Sequence, residues 1–349
     1  MKKKILLLIL LLLSLVGCNR SVKDEFPIEE IEVGVIETRG NIGRSRLVFY
    51  DDALNEIGEL PLKYATVGSV FQTPLVDNGE LYLIPQGYDI TKNEKKVLRI
   101  ELQNMQTKKY KIDAIAMNSI AVCDEYIYTC NNLNGVSYIN RCCKDDGKVD
   151  TITVDISYLT NILYANECLY TFGTDISEND GMHTYVNVYD KELNLIEQKD
   201  ITSFGVAQYF ALECGDYIYF TNGRDVKDQA TSIIGKINMY TYEIEQIDLE
   251  HIYPHELRVY QDYLVVSHYD AVVNKGGGIS FYDLQTQEAT YYELEHGVSS
   301  MDIVDNHLYI LHDRNLYQYD IDTMQLKRKI EVSHIDEKYS YLTGVFSIR

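Results

Sequence analysis

Histidine beside a carboxylate is the pairing in this chain best suited to proton transfer, and it occurs at two matching places: His268 with Asp270, and His312 with Asp313 and Arg314. An imidazole flanked by a carboxylate can act as a general acid or base, with an arginine to hold an anionic oxygen, as a hydrolase or lyase would need. No nucleophile elbow or metal-ligand motif accompanies either pair, so no residue is assigned a catalytic role. Asp175 to Gly181 has the acidic density of a calcium loop, but its oxygen ligands and distal glutamate are out of register. Lys275-Gly276-Gly277-Gly278 is not followed by a helix whose amino terminus could cradle phosphate. Cys123, Cys130, Cys142, Cys143, Cys168 and Cys214 lack zinc-ligand spacing and form no compact disulfide framework, so free thiols are expected. Neither a metal nor a cofactor is predicted.

What must position these residues is a repeat. Apolar runs beginning at Leu81, Ile127, Leu169, Ile218, Leu264 and Leu308 recur every 42 to 49 residues, each after a turn such as Asp77-Asn78-Gly79. A second set begins at Val48, Val97, Val136, Val186, Ile237, Ile279 and Leu316, and each copy turns into a further strand. Periods of about 40 to 50 residues with several strands per unit are the signature of propeller blades, and seven copies predict an all-β, seven-bladed propeller over residues 28–349. The first blade opens at Ile31 to Glu37 with no inner strand before it, while Tyr341 to Ile348 is left over and is patterned like the blade opening Gly68-Ser69-Val70-Phe71. Pairing the leftover strand with the first blade would close the ring and leave only protected edges.

Strands in a blade alternate in direction. The loops after the second strand and the connections between blades therefore share one face, and the tight hairpins share the other. The first face is expected to carry the long segments Gln86 to Lys96, Gly173 to His183, Asn222 to Thr231 and Ser267 to Gly278, and every histidine except His307. Function concentrates on long loops held by a rigid scaffold. Gln72, Asn118, Thr160, Tyr209, His255 and Ser299 are expected to rim the central channel, with Asn222, His268 and His312 at strand ends nearby. Asn118, Tyr209, His255, Asn222, His268 and His312 are the candidate ligand-binding residues, a polar and partly aromatic set suited to a peptide or a sugar. The predicted function is non-enzymatic binding of a protein, peptide or envelope polymer; the alternative is the hydrolase or lyase above.

Leu15-Val16-Gly17-Cys18 ends the apolar run Ile5 to Leu13 behind Lys2, Lys3 and Lys4, and it resembles a bacterial lipobox. A basic start, a short apolar core and small residues before the cut form a secretory signal, and the run is shorter than the roughly 20 apolar residues of a membrane span. The resemblance implies removal of residues 1–17, lipidation of Cys18 and anchoring at the extracytoplasmic face of a membrane by two or more acyl chains. Residues 18–27 then form a tether of at most about 30 Å. The formal charge of −21 repels phosphate backbones, which argues against nucleic acid.

Tyr219-Phe220-Thr221-Asn222 and Tyr128-Thr129-Cys130-Asn131, the latter continuing to Gly135-Val136-Ser137-Tyr138-Ile139-Asn140, resemble the Tyr-Val-Thr-Asn repeats of bacterial propellers. The resemblance implies the propeller fold; the family's asparagine is replaced by Pro85, Gly173, His268 and His312 in other blades, so it carries no shared ligand site. Quinoprotein propellers dock their blades through tryptophan motifs, and this chain has no tryptophan and thirty tyrosines. WD-repeat propellers have a strand end that Tyr189-Asp190, Tyr282-Asp283 and Tyr319-Asp320 resemble in shape only.

Overall fold

The computed structural model describes residues 27–40, 42–87, 94–177, 181–336 and 338–348; Cys18 and the rest of residues 1–26 lie outside these. The described chain forms seven four-stranded antiparallel sheets, and its helical content is two single 3-10 turns. The fold is an all-β, seven-bladed propeller. Six blades are built from consecutive strands; the first combines Ser340–Ser347 as its inner strand with Val33–Arg39, Ser45–Tyr50 and Glu56–Leu62. The C-terminal strand runs antiparallel to Val33–Arg39, from Val33 opposite Ser347 to Arg39 opposite Ser340.

Burial follows position within the blade. Second strands such as Tyr126–Leu133 and Tyr217–Arg224 are buried over five or six consecutive residues, whereas outer strands such as Gln106–Lys111 and Gln325–Glu331 are almost entirely exposed. This is why apolar runs mark the second strand and charged residues the fourth. Tyrosine does the work expected of tryptophan between blades. Tyr82, Tyr128, Tyr170 and Tyr309 occupy one equivalent second-strand position and are fully buried, with the Tyr170 hydroxyl donating to the carbonyl of Met239 in the next blade. A buried ring contributes apolar area, and its hydroxyl needs a partner at the edge. Gly235 faces Phe220 so closely that a Cβ there would lie 1.9 Å from the ring.

The tight-turn face matches its sequence signals, with Asn78 and Gly79 both at positive φ, as a two-residue hairpin turn requires. Two expectations need correction. Gly68 to Phe71 is not a strand, because the inner strand of blade 2 is only Leu75–Asp77. Pro74 removes a backbone donor and Gly68 sits at φ +108°, so the chain bends across the channel mouth. There Gln72 accepts from Ser119 Oγ at 2.6 Å and Ile120 N at 2.8 Å, and Asn161 Nδ2 donates to the Phe71 carbonyl at 2.7 Å. The second correction concerns long loops. Gly173 to His183 is mostly ladder, paired out to Ser177 opposite Gly181, and Ser267 to Gly278 is a hairpin from Tyr263–Asp270 to Lys275–Asp283. The described residues of both stretches extend their blades as paired strands.

Candidate functional site

The channel-mouth positions share one local device. Where the inner strand meets the second strand, the register slips at Asn118, Thr160, the pair Tyr209-Phe210, the pair His255-Glu256 and Thr343. A β-bulge leaves one residue without an opposite partner and re-aims its side chain, so the same slip in five blades turns a set of residues towards the channel. A depression of about 530 Å³ lies there. Gln72, Asn118, His255 and Ser299 line it, as do Phe71, Tyr158, Phe210, Tyr269 and Tyr341. Thr160 is buried, its hydroxyl bonded to the Phe172 carbonyl at 3.2 Å, and the Tyr209 side chain lies outside those described.

Aromatic rings connect three blades around this mouth. Phe210 meets His255 edge to face at 4.9 Å, His255 meets Tyr269 at 5.5 Å, and Tyr269 meets His312 at 6.1 Å. Edge-to-face geometry places positive ring edges over negative faces, which makes the rim stiff. Burial pushes the His255 pKa down to about 3 and that of His268 down to about 4, so both imidazoles are neutral near pH 7.

Asn222 and His268 do not reach the mouth. Asn222 is completely buried opposite Gln208. His268 is tied at both nitrogens, to the Ile252 carbonyl at 3.0 Å and to Ser280 Oγ at 2.7 Å. Asp270 is held by Arg224 of the preceding blade and accepts from Val272 N at 3.0 Å, and His312 Nε2 lies 3.5 Å from Asp313. His268 and Asp270 are thus engaged in holding a blade and a hairpin, whereas His312 Nδ1 is buried without a hydrogen-bond partner. Glu37, at the equivalent strand end of blade 1, is likewise buried, accepting from Arg46 at 2.7 Å and Ile335 N at 2.8 Å. The strand-end asparagine of the repeat has a similar role in blade 3, where Asn140 donates to Asn131 at 3.0 Å. Among the described residues no group of three or more histidines, cysteines and carboxylates could hold a metal ion. Asp175 accepts from Ser157, residues 178–180 of the same stretch lie outside those described, and the six described cysteines are free thiols.

No protein-family model matches the chain, and no curated protein matches it. Among solved structures it is similar to a functionally unknown protein from Desulfotomaculum acetoxidans, with TM-score 0.59 and 12% identity over 85% of this chain and 95% of that one. It is also similar to apo AztD from Citrobacter koseri, with TM-score 0.54 and 8% identity over 90% and 97%, and to dihydro-heme d1 dehydrogenase NirN, with TM-score 0.53 and 11% identity over 91% and 75%. These likenesses concern the propeller fold.

One functional group at the mouth was missed in sequence. Glu256 lines the depression and is 2% exposed, accepting from Met301 N at 2.8 Å and lying 3.7 Å from Arg258 Nη2. Arg258 Nε donates to Asp302 of blade 7 at 2.8 Å, and Asp302 also accepts from Ser347 N at 2.6 Å. Burial pushes the Glu256 pKa up to about 7, against the lowering influence of Arg258. Its sequence signal is Glu256-Leu257-Arg258, opposite charges two apart on a strand and so on one side of it.

Val70, Ile176, Ile252, Val272, Val273 and Tyr341 are exposed on the face of the mouth, and Leu195, Tyr240 and Leu326 are exposed beside the tight turns of the other. The opposite face holds a cleft of about 460 Å³ lined by Glu30, Glu32, Asp51, Asp52, Asp305, Asn306 and His307.

Proposed function

We propose that this protein is a lipid-anchored, non-enzymatic propeller of the Tyr-Val-Thr-Asn type that binds a protein, peptide or envelope polymer through the face bearing the channel mouth. The observation that carries the reading is the coincidence on one face of the aromatic depression and the exposed apolar tips. Apolar patches rimmed by polar residues mark interaction sites, and the buried, hydrogen-bonded states of His268 and Asp270 weigh against the hydrolase or lyase alternative. Anchoring rests on the lipobox at Cys18. No helix among the described residues is long and apolar enough to cross a membrane.

Lipidation at Cys18 would also orient the protein. Glu30 and Glu32, near the start of the described residues, lie beside the turns at Asp51-Asp52 and Asp305-Asn306 on the tight-turn face. A tether of at most about 30 Å then holds that acidic face towards the membrane and directs the mouth away from it, where a partner can approach.

Two results test the reading. Cys18→Ala is expected to leave the chain unprocessed, at precursor size; unchanged size together with unchanged detergent-phase partitioning would refute the anchor. Val70→Ser, Ile176→Ser and Val272→Ser combined should lower capture of the cross-linked cellular partner by about tenfold or more, since a few apolar anchors dominate an interface. Substitutions at Asn78, Asp124 and Asp305 on the opposite face should leave capture unchanged. The reverse pattern, with both groups folded by circular dichroism, would put the functional surface on the other side.

A further inference from the structure

The depression at the mouth has a charge pattern that its role in binding does not by itself explain. Among the described residues its lining contains neither lysine nor arginine, and the one charged residue there is Glu256. The walls are aromatic: Phe71 and Tyr158 meet edge to face at 6.1 Å, and Phe210 and Tyr269 flank His255, with Tyr341 completing the lining. Beneath lies an unbalanced cluster of two carboxylates and one guanidinium. Arg258 is bonded to Asp302 at 2.8 Å but stands 3.7 Å from Glu256, so Asp302 takes the closer share of its charge. Asp302 is further committed to Ser347 N. Glu256 has a backbone donor at 2.8 Å, the hydroxyl of Ser300 and the more distant cation.

Ring faces attract cations through their quadrupole, more strongly where water is excluded. A carboxylate below such rings supplies the counter-charge. Resting on the binding role proposed above, we propose that the mouth takes the ammonium group of a lysine side chain carried by a partner peptide, held between the aromatic walls with Glu256 as its counter-ion. His255, next to Glu256, is neutral over the working pH range because burial pushes its pKa to about 3, so it does not compete as a cation.

The test uses the full chain in detergent and three fluorescent seven-residue peptides, identical except for lysine, norleucine or glutamate at the centre. Binding read by anisotropy at pH 8 should favour lysine over norleucine by about tenfold, with glutamate weakest. Glu256→Gln should lower lysine binding to the norleucine level and leave norleucine unchanged. As an independent measurement, the lysine advantage of the unaltered protein should shrink between pH 8 and pH 5.5. Of the charged groups against Glu256, namely Arg258 on its own strand and Asp302 on the inner strand of blade 7, neither is invoked in that change. Equal binding of lysine and norleucine, or a preference for glutamate, overturns the proposal. Absence of binding by all three peptides also overturns it, and the wider reading still stands if the Val70, Ile176 and Val272 substitutions abolish partner capture. If those substitutions leave capture intact, the wider reading falls instead.

Discussion

Deleting residues 341–349 should abolish cooperative folding, leaving protein that is insoluble or melts without a defined transition. Terminal segments are ordinarily dispensable when their backbone is neither buried nor bonded. This one is both: Val345 and Phe346 are 1% exposed, and the strand pairs with Val33–Arg39 along its whole length. Phe346 packs edge to face on Phe49 at 6.3 Å and lies over Gly34, where a Cβ would come within 2.3 Å of the ring. Losing a buried phenylalanine alone costs about 3–5 kcal/mol, comparable to much of the roughly 5–15 kcal/mol that holds a domain folded. The deletion also strips Val33–Arg39 of its partner and opens a sheet edge to aggregation. Thermal melts by circular dichroism with gel filtration are the check. A truncated protein with the parent's melting temperature and a monomeric profile would show that the ring does not depend on this strand.

The propeller was legible in the sequence because its period is set by packing. One apolar second strand per blade must be buried, and Leu-Tyr or Ile-Tyr marks five of the seven, at Leu81, Ile127, Leu169, Ile218 and Leu308. Blade 2 broke the pattern because Gly68 to Phe71 has the alternation of an inner strand while Pro74 denies it a ladder. At the mouth the rim positions Asn118 and His255 were legible and the strand ends Asn222 and His268 were not, for one reason. A bulge shifts register by one residue, and one residue reverses the direction of a side chain. The sequence names which residues stand at the strand end, but the slip between Pro254 and Leu257 decides which of them face the channel. The same slip brings Glu256 into the lining.

Replacing Arg258 with methionine should destabilise the protein by about 3–5 kcal/mol at pH 8, the usual cost of leaving buried carboxylates without their cation. Arg258 reaches two of them, Asp302 at 2.8 Å and Glu256 at 3.7 Å, and its removal leaves Asp302 with a backbone donor from Ser347. Glu256 sets the pH dependence. Burial raises its pKa from 4.5 to about 7 in the folded protein, so the native state binds this proton more tightly than the unfolded chain. Below about pH 4.5 the carboxyl is neutral in both states and imposes no charge penalty; as pH rises through 7 the penalty grows to the order of 3 kcal/mol. Without Arg258 the attraction that lowers this pKa is gone, so the window extends upwards and the deficit of the variant grows with pH. Urea melts should therefore show a loss at pH 5 well below that at pH 8. Adding Glu256→Gln to the Arg258→Met background should recover part of the loss at pH 8 and little at pH 5, because the amide still accepts from Met301 N and carries no charge to desolvate. Equal losses at the two pH values, with no recovery in the double variant, would show that Arg258 stabilises the channel through the packing of its stem and that the carboxylates beneath the mouth are balanced by something other than its charge.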